Sequence, residues 1–201
     1  MACQSCGRAV FDTTGTHVLC CAPGVSTRGH NDVRNELLDF VRLADSTAQP
    51  EILGLIASAP GLRPADILTS ALAGRSDIAL DVGIASSTAR LIGEDCTETY
   101  RRRKINRYAP FSAELATEGI IYRPVIWSCY GREHEETSIV LEQLARRAAR
   151  RFGHADHKWF LAKSRVDVGV ALARRSAQMV HACMRRRTYC NGSATRLSNI
   201  F

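Results

Sequence analysis

Between residues 76 and 85 apolar and non-apolar positions alternate. Ile78, Leu80, Val82 and Ile84 fall on one side of an extended chain, and Asp77, Ala79, Asp81 and Gly83 on the other. The pattern predicts a strand with a carboxylate in its middle, which is costly unless something pairs with it. A second strand is predicted just upstream, where Arg63-Pro64 forces extended backbone and Asp66 opens the apolar run Ile67-Leu68, closed by Gly74. A tight connection between these two strands would set Asp66 beside Asp81. A first strand is expected over residues 51–57, and residues 119–127 read as a strand too apolar to be half exposed.

Helical periodicity fills most of the remainder. Asn31 is a suitable N-cap for a helix over residues 31–44 carrying Val33, Leu37, Leu38, Val41 and Ala44 on one stripe. Over residues 88–108, Cys96, Tyr100, Lys104 and Tyr108 recur every four positions. Lys104 therefore lies on the semi-apolar stripe, apart from Arg101, Arg102, Arg103 and Arg107. Helices are also expected over 133–152 and over 156–187, the second interrupted, if anywhere, at Gly169. The fold class is α/β: a small central mixed sheet flanked by helices.

Two carboxylates in one cleft are a means of holding Mg²⁺, because hard cations take oxygen ligands and keep positions for water and phosphate. Asp66 and Asp81 are the candidates. A single Asp at a strand start is more often only a turn or cap residue, and Lys104 read alone is equally a lysine stem crossing a core edge.

Composition changes this picture in two places. The chain has 201 residues, 45% of them hydrophobic, enough for one core with an appendage. No run of apolar residues is long enough to span a membrane, and the first residues do not read as a signal peptide. Eight cysteines then point to thiols or metal ligands. Cys3-x₂-Cys6, His17 and Cys21 (or Cys20) have the spacing of a small zinc site, which would supply the folding energy of a segment too short for its own core. The formal net charge is +7, which suits a polyanionic partner. From Leu144 to Arg187 there are twelve Lys/Arg against two Asp, so the C-terminal helices read either as an exposed face or as a phosphate-tracking surface. The nucleic-acid candidates are Arg101, Arg102, Arg174, Arg175, Arg185 and Arg186.

Pro64-x-Asp66 followed by Asp81 resembles the restriction-endonuclease-like nucleases, whose signature is P-D, a spacer and (D/E)-x-K. Gly83 stands at the lysine position, and Lys104 is the candidate to fill the space it leaves. With the lysine displaced to a helix, the chain resembles the endonuclease domain of site-specific non-LTR retrotransposons. The N-terminal Cys-Cys-His-Cys spacing, Arg28-Gly29-His30-Asn31 and the Lys104-to-Tyr108 element have counterparts there, in that order along the chain. The resemblance covers roughly residues 3–130. It implies a Mg²⁺-dependent DNA endonuclease, with Asp66 and Asp81 holding the metal and Lys104 acting on the attacking water. His30 and Glu36 are further candidates on the helix ahead of the strands. It also implies zinc upstream, DNA and perhaps-related RNA partners, a reverse-transcriptase partner or parent polyprotein, and a nuclear location in a eukaryote or a cytoplasmic one otherwise. The expected organisation is a zinc-knuckle-like segment (1–27), a nuclease core (28–132) and a basic helical extension (133–201). Two rivals stand beside the enzyme: a non-catalytic nucleic-acid-binding protein on the same scaffold, and an interaction protein whose acidic strand residues only cap turns.

Overall fold

The computed structural model describes residues 17–20, 23–74, 76–86 and 95–194. It is an α/β fold built on a four-stranded mixed sheet in the order β1 (Gln49–Pro50), β2 (Ile67–Ala73), β3 (Ser76–Ala85), β4 (Ile120–Ser128). The β2–β3 pair is an antiparallel hairpin turned at Gly74, where φ is 31°. β3 and β4 run parallel along nine paired positions from Asp77↔Ile120 to Ala85↔Ser128. Parallel neighbours need a crossover, here supplied by α2 (Cys96–Tyr108) and α3 (Ser112–Thr117).

The alternation of β3 sorts its two faces as expected. Ile78, Leu80 and Val82 join Ile67, Val125 and Trp127 in the main core, against α1 (Pro23–Ala44), α4 (Glu135–Arg151) and α5 (Lys158–Ala194). Val33, Leu37, Val41, Leu141, Leu144, Phe160 and Leu172 fill it from the helices, so the residues of the expected basic extension share this core. The opposite face carries a smaller cluster of Ile56, Ala65, Ala79, Tyr108, Leu115 and Ile120 beneath α2 and α3. Among the described residues no helix is long and apolar enough to cross a membrane.

Several expected boundaries are corrected. The first strand is only Gln49–Pro50, because Glu51 and Gly54 take positive φ (48° and 75°) and break the extension. The apolar run after it folds irregularly and sends Ile56 into the smaller core. α1 begins at Pro23, eight residues before Asn31, so His30 is helical and not in a loop. The helix expected from residue 88 is interrupted at Asp95, the extended N-cap of α2, whose carboxylate accepts from the Thr97 and Glu98 N–H groups. Residues 87–94 lie outside the described residues. α5 runs through Gly169 unbroken, because Val168, Ala171 and Leu172 on either side of it are locked in the core.

One polar tie fixes α1 against the sheet. The Asp45 carboxylate, just past the end of α1, accepts from the Thr47 N–H (3.0 Å) and hydroxyl (2.6 Å), and from the Thr69 hydroxyl (2.7 Å) and Ser70 N–H (2.9 Å) on β2. Burial works to raise its pKa, but the bonds from Thr47, Thr69 and Ser70 outweigh it and hold the carboxyl well below the usual range. Asp45→Ala is expected to lower the unfolding free energy in a urea titration by about 1–3 kcal/mol. Because the folded pKa is depressed, this contribution is fully present above the unfolded value of roughly 4 and is lost as pH falls through the folded value. The wild type should therefore lose its advantage over Asp45→Asn in acid. Gly169 is exposed, has helical backbone and has open space where a Cβ would stand. Gly169→Ala should accordingly raise stability by about 0.5–1 kcal/mol in the same titration.

Candidate active site

The register that pairs Ile67 with Leu80 places Asp66 across from Asp81. The Asp66 N–H donates to the Leu80 carbonyl at 2.9 Å, and the Asp66 carboxylate accepts the next N–H along β3, that of Val82, at 2.8 Å. The carboxylate thus closes the ladder where Pro64 has turned the chain away. Asp66 is gripped a second time by His30, whose Nε2 lies 3.4 Å from its carboxylate oxygens.

Asp81 points to the α2 side of the sheet. There Lys104 Nζ donates to Asp81 Oδ1 at 2.5 Å and to the Val82 carbonyl at 2.8 Å. Gly83 makes this approach feasible. A Cβ at position 83 would stand 2.7 Å from Tyr100 Cε1 and 3.0 Å from Lys104 Cε, and would also strike Ile126. The empty space expected at Gly83 is therefore filled by the stem of Lys104. The Tyr122 hydroxyl, from β4, donates to Asp81 Oδ2 at 2.5 Å. The Tyr122 ring packs 4.8 Å from that of Tyr108, whose own hydroxyl donates to the Arg63 carbonyl at 2.8 Å.

Burial sets the electrostatics. It raises the Asp81 carboxyl, and the nearby Asp66 charge adds to the rise, while Lys104 and Tyr122 act against it. At Asp66 burial also pushes upward, but the hydrogen bond and charge of His30, the charge of Lys104 and the Val82 N–H together leave its pKa lowered. Burial and the Asp81 charge raise the Tyr122 hydroxyl, which stays a proton donor.

The donors here are all oxygens: two carboxylates and the Val82 carbonyl. That set suits a hard cation such as Mg²⁺. The ammonium of Lys104 already shows that Asp81 Oδ1 and the Val82 carbonyl converge on one cationic position. Among the described residues no group of three or more His, Cys, Asp or Glu side chains is placed to hold a metal ion. A cation here would complete its shell with water and phosphate oxygens. The two carboxylates, His30, Tyr100 and Lys104 line an open cleft of about 360 Å³, together with Arg63, Arg103, Arg107, Gly61 and Tyr108.

The structure brings Asp66, Asp81, Lys104 and His30 together and leaves other candidates elsewhere. Glu36, six residues from His30, lines a separate hollow with Asp39 and Lys163 beside α5, because that spacing turns it to another side of α1. Arg101 bridges Glu98 (3.5 Å) and Glu136 (3.9 Å), and Arg102 pairs with Glu98 at 3.1 Å. Neither lines the cleft. Arg175 is 5% exposed and is not a surface contact. Its stem crosses Gly29, where any Cβ would collide with it, and its guanidinium reaches the Leu19 carbonyl. Arg174 is exposed on α5. The side chains of Arg185 and Arg186 lie outside the described residues, as do Cys3, Cys6 and Cys21; His17 is half-buried at the edge of the described part.

Sequence reasoning missed Arg63, Arg103 and Arg107 as cleft residues and Tyr122 as a donor to Asp81. Tyr122 had no signal, since its place depends on the parallel register of β3 and β4. Arg103 and Arg107 had one: they are one residue before and three after Lys104, which puts them on neighbouring positions of one helix face.

Lys104 and Asp81 have side chains 15% and 9% exposed, so removing one strands the other. Lys104→Met is expected to cost about 3–5 kcal/mol of stability, and Lys104→Met combined with Asp81→Asn to recover most of it. A urea double-mutant cycle reads the coupling, and additive losses would mean that the two groups do not depend on each other.

A scan against models of known protein families finds no match to this chain, and a search of curated proteins returns none either, so the chemistry of the cleft has to be argued from its atoms.

Proposed function

We propose that this protein is a Mg²⁺-dependent DNA endonuclease, with a restriction-endonuclease-like core of the kind found in site-specific non-LTR retrotransposons. The observation that carries the reading is the arrival of Lys104 from α2, through the space at Gly83, on Asp81 and the Val82 carbonyl. An amine beside two carboxylates, with a backbone carbonyl among the oxygens, supports a reading as a site for phosphodiester hydrolysis.

When bound, the metal supplies Lewis-acid polarisation of the phosphate and lowers the pKa of water. The chain's own residues do the rest. Asp66 and Asp81 would hold the cation, and the Val82 carbonyl, which now accepts from Lys104, lies beside them. His30 and the Val82 N–H orient Asp66, and Tyr122 orients Asp81. Lys104, the amine nearest the two carboxylates, would set its positive charge against the attacking water and the charge that builds on phosphorus. The cysteines and His17 remain candidates for one zinc ion in the N-terminal segment, and a reverse transcriptase or parent polyprotein, with DNA in the nucleus, is the natural setting of such an enzyme.

One observation favours the non-catalytic alternative: Lys104 lies on the same oxygens that a cation would use, as a structural ion pair would. A plasmid-nicking assay with Mg²⁺ separates the two. Asp66→Ala, Asp81→Ala and Lys104→Ala should each reduce cutting on the order of a hundredfold or more while DNA binding persists. Asp77→Ala should cut normally, because Asp77 is exposed near the start of β3, roughly 13 Å along the strand from Asp81. A wild type inert with both Mg²⁺ and Mn²⁺, or an Asp77 variant as impaired as the Asp81 one, refutes the proposal.

A further inference from the structure

Four arginines on α2 divide into two pairs with opposite circumstances. Arg101 and Arg102 are neutralised by Glu98 and Glu136. Arg103 and Arg107 face the cleft, and among the described residues neither guanidinium has a carboxylate partner. Arg63, on the loop forming the other rim, is likewise without one among the described residues. Elsewhere Arg34, Arg132, Arg146 and Arg165 are each paired with an acidic residue, whereas Arg147 and Arg150 are exposed beside a second hollow that, among the described residues, holds no carboxylates like Asp66 and Asp81 on facing strands. Charge left uncompensated at the mouth of one cleft is suited to an anion that arrives from solution.

The geometry favours an extended anion over a compact one. Arg103 and Arg107 are four residues apart, hence one above the other, separated by roughly 6 Å along the helix. That rise is comparable to the step between successive phosphates of a nucleic-acid strand. Tyr108 steadies both rims: the Arg107 guanidinium lies 5.5 Å from its ring centroid, and its hydroxyl holds the Arg63 carbonyl. The planar fork of arginine matches phosphate oxygens two at a time. An open cleft of about 360 Å³ has room for the backbone of one strand.

We infer that Arg103 and Arg107, with Arg63 across from them, form a phosphate ladder that grips the backbone of one DNA strand and sets it over Asp66 and Asp81. The inference rests on the nuclease reading for the fate of that strand, though not for its binding. It moves strand recognition from Arg101, Arg102 and the C-terminal helix to the cleft side of α2.

The test is fluorescence anisotropy with a labelled oligodeoxynucleotide, single-stranded and duplex, in EDTA across a salt series. The proteins are the wild type, Arg103→Ala/Arg107→Ala, Arg103→Lys/Arg107→Lys, Arg63→Ala and the exposed control Arg42→Ala, with matched melting curves. Loss of the α2 pair should weaken binding about tenfold per arginine. It should also reduce the magnitude of the log–log salt slope by roughly 1.4 for the single strand and 1.8 for the duplex. The lysine pair should keep most of the slope but not all of the affinity, and the control should change neither. If Arg103→Ala/Arg107→Ala binds with wild-type affinity and slope, the ladder is overturned. Nicking assays on the same proteins keep the two ideas apart. A wild type that binds through these arginines and cuts nothing leaves the ladder standing and removes the nuclease. Cutting unchanged in kcat and KM by Arg103→Ala/Arg107→Ala does the reverse.

Discussion

A carboxylate buried in the middle of the central sheet is the constraint to which the α2 side of the molecule answers. Asp81 cannot remain charged there without a cation, and the strand beneath it has no lysine to offer. The compensation comes from α2, and it needs both a glycine at position 83 and a helix held at the right height. The helix is held at its start by the Asp95 cap and by Arg132, which pairs with Asp95. One turn on, Glu98 accepts from His134 at 2.8 Å and also engages Arg101 and Arg102. At its end Tyr108 enters the smaller core and bonds the Arg63 carbonyl. A buried ion pair is a poor device for stability alone, since well-packed apolar residues of similar volume often do as well or better. Keeping one under so many supports accords with a chemical use for it.

The two faces of the sheet divide apolar from polar packing. The face toward α1, α4 and α5 is apolar and large, with Trp127, Leu141 and Leu144 fully buried. The face toward α2 and α3 has a small cluster and then polar groups: Asp81, Tyr122, Lys104 and the Arg63 carbonyl. Because hydrophobic burial is concentrated on one side, the other can carry buried polar groups held by one another. His30 is the exception that joins them. It sits on a helix of the apolar layer, yet reaches round the strand end to Asp66, and the Asp45 tie keeps that helix seated on β2.

How much of this was legible in the sequence follows from how local each cause is. The alternation of β3 is a two-residue period, so the faces of Ile78, Leu80, Asp81 and Gly83 could be read directly. The pairing of Asp66 with Asp81 needed only a short hairpin. Lys104 could be placed on its stripe, and Gly83 marked the room it would need. The strand expected over residues 51–57 failed because apolar content does not distinguish a strand from a loop that buries one residue, here Ile56, while Glu51 and Gly54 take backbone angles no strand allows. Tyr122 depended on a parallel register set by a crossover of more than thirty residues between β3 and β4. The basic tail misled for a different reason. Counting charges along a helix gives no sign of which ones turn inward, and Arg175 does so only because Gly29, on another helix, leaves room for its stem.

The same lesson bears on how the cleft would work. A field at the surface depends on where charges are left uncompensated, not on how many a segment contains. α2 carries its neutralised arginines on the side that anchors it and its free ones on the side that opens to the cleft, with Lys104 between Arg103 and Arg107 in sequence. One rigid helix therefore positions both the amine that would act at phosphorus and the guanidinium groups that would hold the neighbouring phosphates. Their mutual spacing is fixed by helix geometry, independent of any loop. A strand bound in register with the arginines would accordingly arrive in register with the amine. The ionic contacts at the start of α2, Asp95 with Arg132 and Glu98 with His134, bear on that coupling, since a helix free to slide by one turn would carry the whole arrangement away from Asp81 at once.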